Sequence, residues 1–144
     1  MPSASTTEVF NCTAEELYNI ITDYEKYPEF LGMVKGMKVL KTEKSKKLVE
    51  YSVSVMKDFK YKTWMEEKPH KSVTWSFAEG DLFKKMSGSW TLEPQGNKVK
   101  ATYHVESEFA ILVPGFVAKT LMSVDLPNMI NAYKKRIEKL YGKR

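Results

Sequence analysis

The sequence has few of the residues from which catalytic centres are usually built. It contains one cysteine, Cys12, and two histidines, His70 and His104, in 144 residues. A lone cysteine closes no internal disulfide, which predicts a reducing compartment. No His, Cys, Asp or Glu cluster has metal-ligand spacing, and no glycine-rich loop could cradle a phosphate. Neither histidine stands at a recognisable spacing from a nucleophile. His70 reads as surface in the turn Pro69-His70-Lys71, and His104 falls on the wet face of a strand. Asp23, Glu79 and Asp81 fall at helix ends or in loops, Asp23 as the end of one helix or the cap of the next. No catalytic residue, metal or cofactor is therefore assigned. Long apolar runs are also missing. No stretch approaches the roughly 20 residues needed to span a bilayer. The N-terminus has no basic region followed by an apolar run, so no secretory signal is expected. The expected location is the cytoplasm, at most peripheral to a membrane.

What remains is ordinary globular composition, with 42% hydrophobic and 28% charged residues. The length fits one domain, 1–144, large enough to bury a core without staples. Net charge is +5 and the pI is near 9.1. Lysines are spread along the chain, with clusters at Lys44–Lys47 and Lys134–Arg136. They read as solvated surface, or as weak attraction to anionic lipid or RNA; DNA is not an expected partner.

Thr6–Asn11 reads as a first strand. Thr13-Ala-Glu-Glu reads as a capping box in front of a short helix carrying Leu17, Ile20 and Ile21. Pro28 breaks the pattern, and Tyr24–Leu31 reads as a second short helix or a turn. Period-two segments follow: Lys47–Met56, Phe59–Glu66, Ser72–Ala78, a strand carrying Met86, Gly88, Trp90 and Leu92, and Lys98–Phe109 after a Gly96-Asn97 turn. Strict alternation implies one wet and one buried face, as in antiparallel sheets. From Pro114 to Leu140 the period becomes helical, with Val117, Leu121, Val124, Ile130, Tyr133, Ile137 and Leu140 on one face. Pro127 should kink or break this helix. The expected fold is α+β: a curved antiparallel sheet of about seven strands around a long C-terminal helix, with two short helices after the first strand.

The inward faces mix large aromatics with small or hydroxylated residues. Tyr51, Tyr61, Trp75, Phe77, Trp90, Tyr103 and Phe109 alternate with Thr63, Gly88, Ala101 and Ser107. The helix adds Phe116, Leu121, Met122 and Met129. Rings supply apolar area and hydroxyls fix orientation, which suits a ligand pocket, and methionines adapt to variable shapes. The alternative is that these side chains pack only against each other. Tyr51, Tyr61 and Tyr103 could donate to a carbonyl oxygen. The expected ligand-binding set is Tyr51, Tyr61, Trp75, Phe77, Trp90, Tyr103, Phe109, Phe116, Leu121 and Met129. The C-terminal helix reads as a lid. Ala110-Ile-Leu-Val-Pro-Gly is an apolar loop whose Ile111, Leu112 and Val113 could touch a membrane, or could equally pack inward.

The order of elements resembles the helix-grip fold of the START, birch-pollen-allergen and polyketide cyclase/dehydrase superfamily. Tyr24-Glu-Lys-Tyr-Pro-Glu-Phe-Leu resembles its D-x-x-x-Y-P-x-F signature. Gly80-Asp-Leu-Phe-Lys-Lys-Met-Ser-Gly-Ser-Trp-Thr-Leu resembles the G-P-F-x-x-L-x-G-x-W-x-F stretch of the coenzyme Q-binding branch, which also holds the bacterial ribosome-association toxins. Asp81 and Leu82 depart from a Pro, and Leu92 from a Phe. The resemblance implies binding of a lipid or isoprenoid quinone without chemistry. The superfamily also includes polyketide aromatase/cyclases and a class that binds the large ribosomal subunit. Three functions are thus expected in competition: a carrier or chaperone of a hydrophobic molecule, a ribosome-binding module, and a cyclase or dehydratase.

Overall fold

The computed structural model describes residues 3–55, 57–110, 115 and 125–142. Strand β1 (Ser3–Phe10) leads into helix α1 (Ala14–Thr22) and a 3₁₀ helix (Tyr24–Glu29). Six strands follow: β2 (Val34–Glu43), β3 (Lys46–Val55), β4 (Lys57–Lys68), β5 (Ser72–Gly80), β6 (Phe83–Gln95) and β7 (Lys98–Phe109). Helix α2 (Asp125–Tyr141) comes last. All seven strands join one antiparallel sheet in the order β1-β7-β6-β5-β4-β3-β2. The hairpins run consecutively from β2 to β7. Among the described residues the one crossover carries the chain from β1 at one edge to β2 at the other, through α1 and the 3₁₀ helix. Ala4 of β1 and Val34 of β2 line the same cavity although five strands separate theirs. A flat sheet would hold them roughly 29 Å apart at about 4.8 Å per strand, so the sheet must curl around its inner face.

The start of α1 is fixed by its own residues. The Thr13 hydroxyl accepts from the Glu16 N–H at 3.1 Å, and the Glu16 carboxylate accepts from the Thr13 N–H at 2.9 Å. That reciprocal box satisfies two otherwise orphaned donors. The helix then lays Leu17, Ile20 and Ile21, all buried, against β5, β6 and β7. The 3₁₀ helix buries Tyr24 and Tyr27.

The sheet's inner face is divided along each strand. Phe10, Val49, Val73, Val99, Ala101 and Leu92 are packed solid around α1. Toward the other end of the same strands, Tyr51 and Val53 follow Val49, Gly88 and Met86 lie beyond Trp90, and Val105 and Ser107 lie beyond Tyr103. There the packing opens into a cavity. One end of the curled sheet is thus closed by α1 and the other is hollow, with α2 laid across it.

Several expectations need correction. β1 starts at Ser3, three residues before the expected Thr6, and ends at Phe10; Asn11 is in a bend. β2 carries no clean alternation in sequence. Its pairing with β3 slips between Val34 and Gly36 and again between Val39 and Lys41, and each irregularity breaks the period of two. Pro127 lies in the first described turn of α2, and residues 121–124, which would decide whether it bends or breaks a longer helix, lie outside the described residues. The expected bend, with Val117, Leu121 and Val124 on the inner face, falls largely on residues 116–124, outside the described residues. The Ile111, Leu112 and Val113 loop also lies outside them. Among the described residues no helix is long and apolar enough to cross a membrane.

Candidate ligand cavity

The hollow end encloses about 300 Å³, at the small end of the roughly 300–1,000 Å³ typical of ligand pockets. Its wall is an almost continuous run of rings. Tyr51 of β3 and Tyr61 of β4 are opposite each other in the ladder and stack with centroids 4.5 Å apart and planes 9° from parallel. Phe83 of β6 meets Tyr61 edge-on at 5.1 Å. On the opposite wall Tyr103 of β7 touches both Trp75, at 5.6 Å, and Trp90, at 5.1 Å. Trp90 meets Tyr133 of α2 at 5.3 Å, and Tyr27 of the 3₁₀ helix completes the floor 6.5 Å from Tyr133. Leu126, Met129 and Ala132 of α2 form the roof, and Leu31, Met33 and Leu82 complete the lining.

Of the ten expected ligand-binding side chains, Tyr51, Tyr61, Trp75, Trp90, Tyr103 and Met129 lie on this wall. Phe77 and Phe109 do not. Pairing of β5 with β6 ends at Ser76 opposite Ser87, so Phe77 lies past the last rung, where the strands part. Phe83 takes that place on the wall, with Phe77 at 6.3 Å and Phe109 at 5.0 Å from it. Phe116 and Leu121 lie outside the described residues. Tyr27, Leu31 and Phe83 line the cavity without having been assigned to it from sequence. The first two belong to the segment read as a short helix or turn, where no period reveals a face. Phe83 sits in the Gly80–Leu92 stretch that carries the resemblance.

Charge is the decisive property of the wall. Among the described residues no Asp, Glu, Lys, Arg or His lines the cavity. A buried ion there would find no charged partner among the described residues, at a cost of several kcal/mol. The polar groups of the described lining are hydroxyls, Ser107 among them, together with the Asn128 amide. The Thr63 hydroxyl is 3.1 Å from the Met65 sulfur, and the Tyr51 hydroxyl is 3.5 Å from both. Burial pushes the Tyr51 phenol up to about 12, although its bond with Thr63 pulls the other way. Burial also raises Tyr61 well above the ordinary value, and Tyr103 and Tyr133 above it. All four are therefore neutral donors at physiological pH. Tyr27 donates to the Ile21 carbonyl. Among the described residues the Tyr61 and Tyr103 hydroxyls show no hydrogen-bond partner. Each is an uncommitted donor at the edge of an apolar space, ready for a ligand oxygen.

Nothing metal-like accompanies this cavity: among the described residues no group of three or more His, Cys, Asp or Glu could hold an ion. His104 is on the outer face, 3.3 Å from Glu106, and His70 rests edge-on against Tyr18 at 5.4 Å. Asp81, at the β5–β6 turn, accepts from the Lys60 N–H at 3.2 Å, and Glu79 pairs with Lys62 at 2.6 Å.

A curled seven-stranded antiparallel sheet, two short helices after its first strand, a C-terminal helix over its hollow and an aromatic cavity with no charged residue among those described define a helix-grip fold. The chain belongs to the family described as polyketide cyclase / dehydrase and lipid transport, which it matches over residues 11–134. Among solved structures it is similar to a START superfamily protein from Mycobacterium smegmatis, with a TM-score of 0.83 and 22% identity over 96% of this chain and 98% of that one. The Zhui aromatase/cyclase from Streptomyces has a TM-score of 0.82 at 14% identity, over 96% of this chain and 94% of the other. Curated relatives include the ribosome association toxin RatA of Escherichia coli K12, 26% identical over 100% of this chain and 92% of the relative. The mitochondrial coenzyme Q-binding protein COQ10 of Dictyostelium discoideum is 28% identical over 94% of this chain and 69% of the relative. Family and neighbours together point to binding of a hydrophobic ligand or to cyclase-type roles.

Proposed function

We propose that the chain, as one domain over 1–144, is a carrier or chaperone for a neutral hydrophobic molecule bearing at least one oxygen acceptor. An isoprenoid quinone is the favoured cargo, with a lipid or polyketide-like molecule sharing the same chemistry. The supporting observation is the cavity wall: among the described residues it has rings and methionines, no charge, and two uncommitted tyrosine hydroxyls at Tyr61 and Tyr103. Burial supplies affinity, at about 0.8 kcal/mol per buried methylene. The hydroxyls select for a carbonyl or ether oxygen, and the uncharged wall disfavours an ionised fatty acid. Similarity to the coenzyme Q-binding relative favours the quinone. Native mass spectrometry of the protein titrated with a short-chain ubiquinone tests this. A saturable one-to-one adduct is expected, and the absence of saturable binding would remove the proposal.

A second reading is supported by similarity to the ribosome association toxins over almost their whole length. Five exposed lysines, Lys35, Lys38, Lys41, Lys44 and Lys46, lie on the β2–β3 hairpin. Contacts of that kind release steeply as salt rises. Sedimentation with large ribosomal subunits across a salt series separates the readings: no co-sedimentation at low salt excludes the ribosome.

A further inference from the structure

Gly88 stands in the stretch Met86-Ser-Gly-Ser-Trp90, on the inner face of β6 and directly opposite Trp75 of β5. A Cβ placed on Gly88 would sit 2.4 Å from Trp75 Cζ2, 2.5 Å from Cε2 and 2.6 Å from Nε1. All three atoms belong to a rigid fused ring, so no flexible side-chain end can give way. The indole therefore occupies the space a side chain at position 88 would take, lying across the neighbouring strand. From there it reaches Tyr103, 5.6 Å away on β7. Backbone conformation does not explain the glycine: among the described residues the glycines with positive φ are Gly80, Gly96 and Gly142. What position 88 requires is space.

Trp75 lines the cavity. Trp90 is almost fully buried, and Met86 and Val105 flank position 88 along and across the ladder. An indole forced off β6 thus meets packed side chains on the sheet, whereas the open volume lies in the cavity. We infer that Gly88 is a specificity-determining residue: by letting the Trp75 indole lie flat across β6 it sets the depth of the cavity, and hence the length of ligand that fits. This rests on the carrier reading above, and adds to it the position at which cargo size is chosen.

The experiment has one arm with a ligand and one without a physiological ligand. In the first, a ubiquinone series with zero, one and two isoprenoid units is titrated into wild type, Gly88→Ala, Trp75→Leu and the double variant. Gly88→Ala should lose about tenfold or more for the longest member and little for the shortest. The double variant should recover the longest, because the displaced ring is gone. In the second arm, xenon taken up by the apolar cavity is followed by ¹²⁹Xe NMR, since dry apolar cavities accept xenon. Uptake should fall in Gly88→Ala and rise in Trp75→Leu. A nuclear Overhauser contact between the Trp75 indole and the Gly88 Hα protons should be present in wild type. If no protein binds any quinone but xenon uptake follows this order, the carrier reading fails and the role of Gly88 in setting cavity depth stands. If Gly88→Ala weakens all three quinones equally without rescue by Trp75→Leu, or leaves xenon uptake unchanged, the inference is overturned. Should Gly88→Ala not fold, Trp75→Leu decides alone: it must raise xenon uptake and shift preference to the longest quinone, and failure of either overturns the inference.

Discussion

Trp90 of β6 and Tyr133 of α2 meet edge to face with centroids 5.3 Å apart, and this contact fastens the C-terminal helix to the middle of the sheet. Trp90 is 2% exposed and Tyr133 2% exposed. Tyr133 also meets Phe30 at 5.2 Å and Tyr27 at 6.5 Å. One ring thus joins three elements at the boundary between solid core and cavity. Tyr133→Ala should cost about 3–5 kcal/mol, the usual loss for truncating a buried aromatic. Urea unfolding monitored by circular dichroism measures it, and a loss below about 1 kcal/mol would show that the helix is held elsewhere.

The hydroxyls of Tyr61 and Tyr103 should serve the ligand more than the fold. Tyr61→Phe and Tyr103→Phe are each expected to keep the melting temperature within a few degrees. Each should weaken binding of a carbonyl-bearing ligand about 2–10-fold, the worth of one net hydrogen bond. Isothermal titration with a short-chain quinone and with an alkane-tailed analogue lacking the carbonyls separates the effects: only the quinone should notice the change.

Arg136 is 9% exposed, bonded to Glu29 at 3.0 Å and placed 5.2 Å from the Phe30 ring centroid. Its guanidinium holds the Glu29 carboxyl below the ordinary 4.5, with Lys26 adding to the effect. A depressed folded pKa means that the pair's contribution is present above the unfolded value. It fades as pH falls through the folded one. Wild type and Glu29→Gln should therefore differ in urea midpoint at pH 6 and converge as pH drops below 4. A constant difference down to pH 3 would place the effect outside this pair.

Tyr51 has the opposite sign. Its phenol is raised to about 12 by burial, so the neutral form is favoured by folding. That contribution is intact below the unfolded value near 10 and is lost as pH rises through 12. Stability should fall between pH 10 and 12, and Tyr51→Phe should flatten part of that fall in a pH-dependent denaturation series.

Much of this architecture was legible in sequence because period-two alternation is a direct record of a one-sided sheet. β7 was placed to the residue, and the inner faces of β3, β4 and β6 were identified correctly, because apolar and polar residues alternate along each stretch even where β4 shifts register against β5 at Lys62 and Thr63. β2 was invisible because two slips of register remove the period. Phe77 was placed on the wall by parity alone, and parity does not report that the β5–β6 ladder stops at Ser76. Tyr27 and Leu31 were missed because a six-residue 3₁₀ helix and the loop after it carry no repeat from which to read a face. Gly88 was legible as a small residue on the inner face of its strand and as part of a motif, but not as the partner of Trp75. Its reason depends on which residue stands opposite it, and register between two strands is not written in either one.

The central claim is that the uncharged aromatic cavity holds a neutral hydrophobic molecule, and tryptophan emission tests it most directly. Trp75 and Trp90 line the cavity. Trp64 alternates to the outer face, paired with Leu48 and Ser76. In a Trp64→Phe variant only the two cavity indoles report. Titration with a short-chain ubiquinone, which quenches indole on contact, should reduce emission along a saturable curve with one-to-one stoichiometry. Quenching that rises linearly without saturation, as for random collision, would contradict the account.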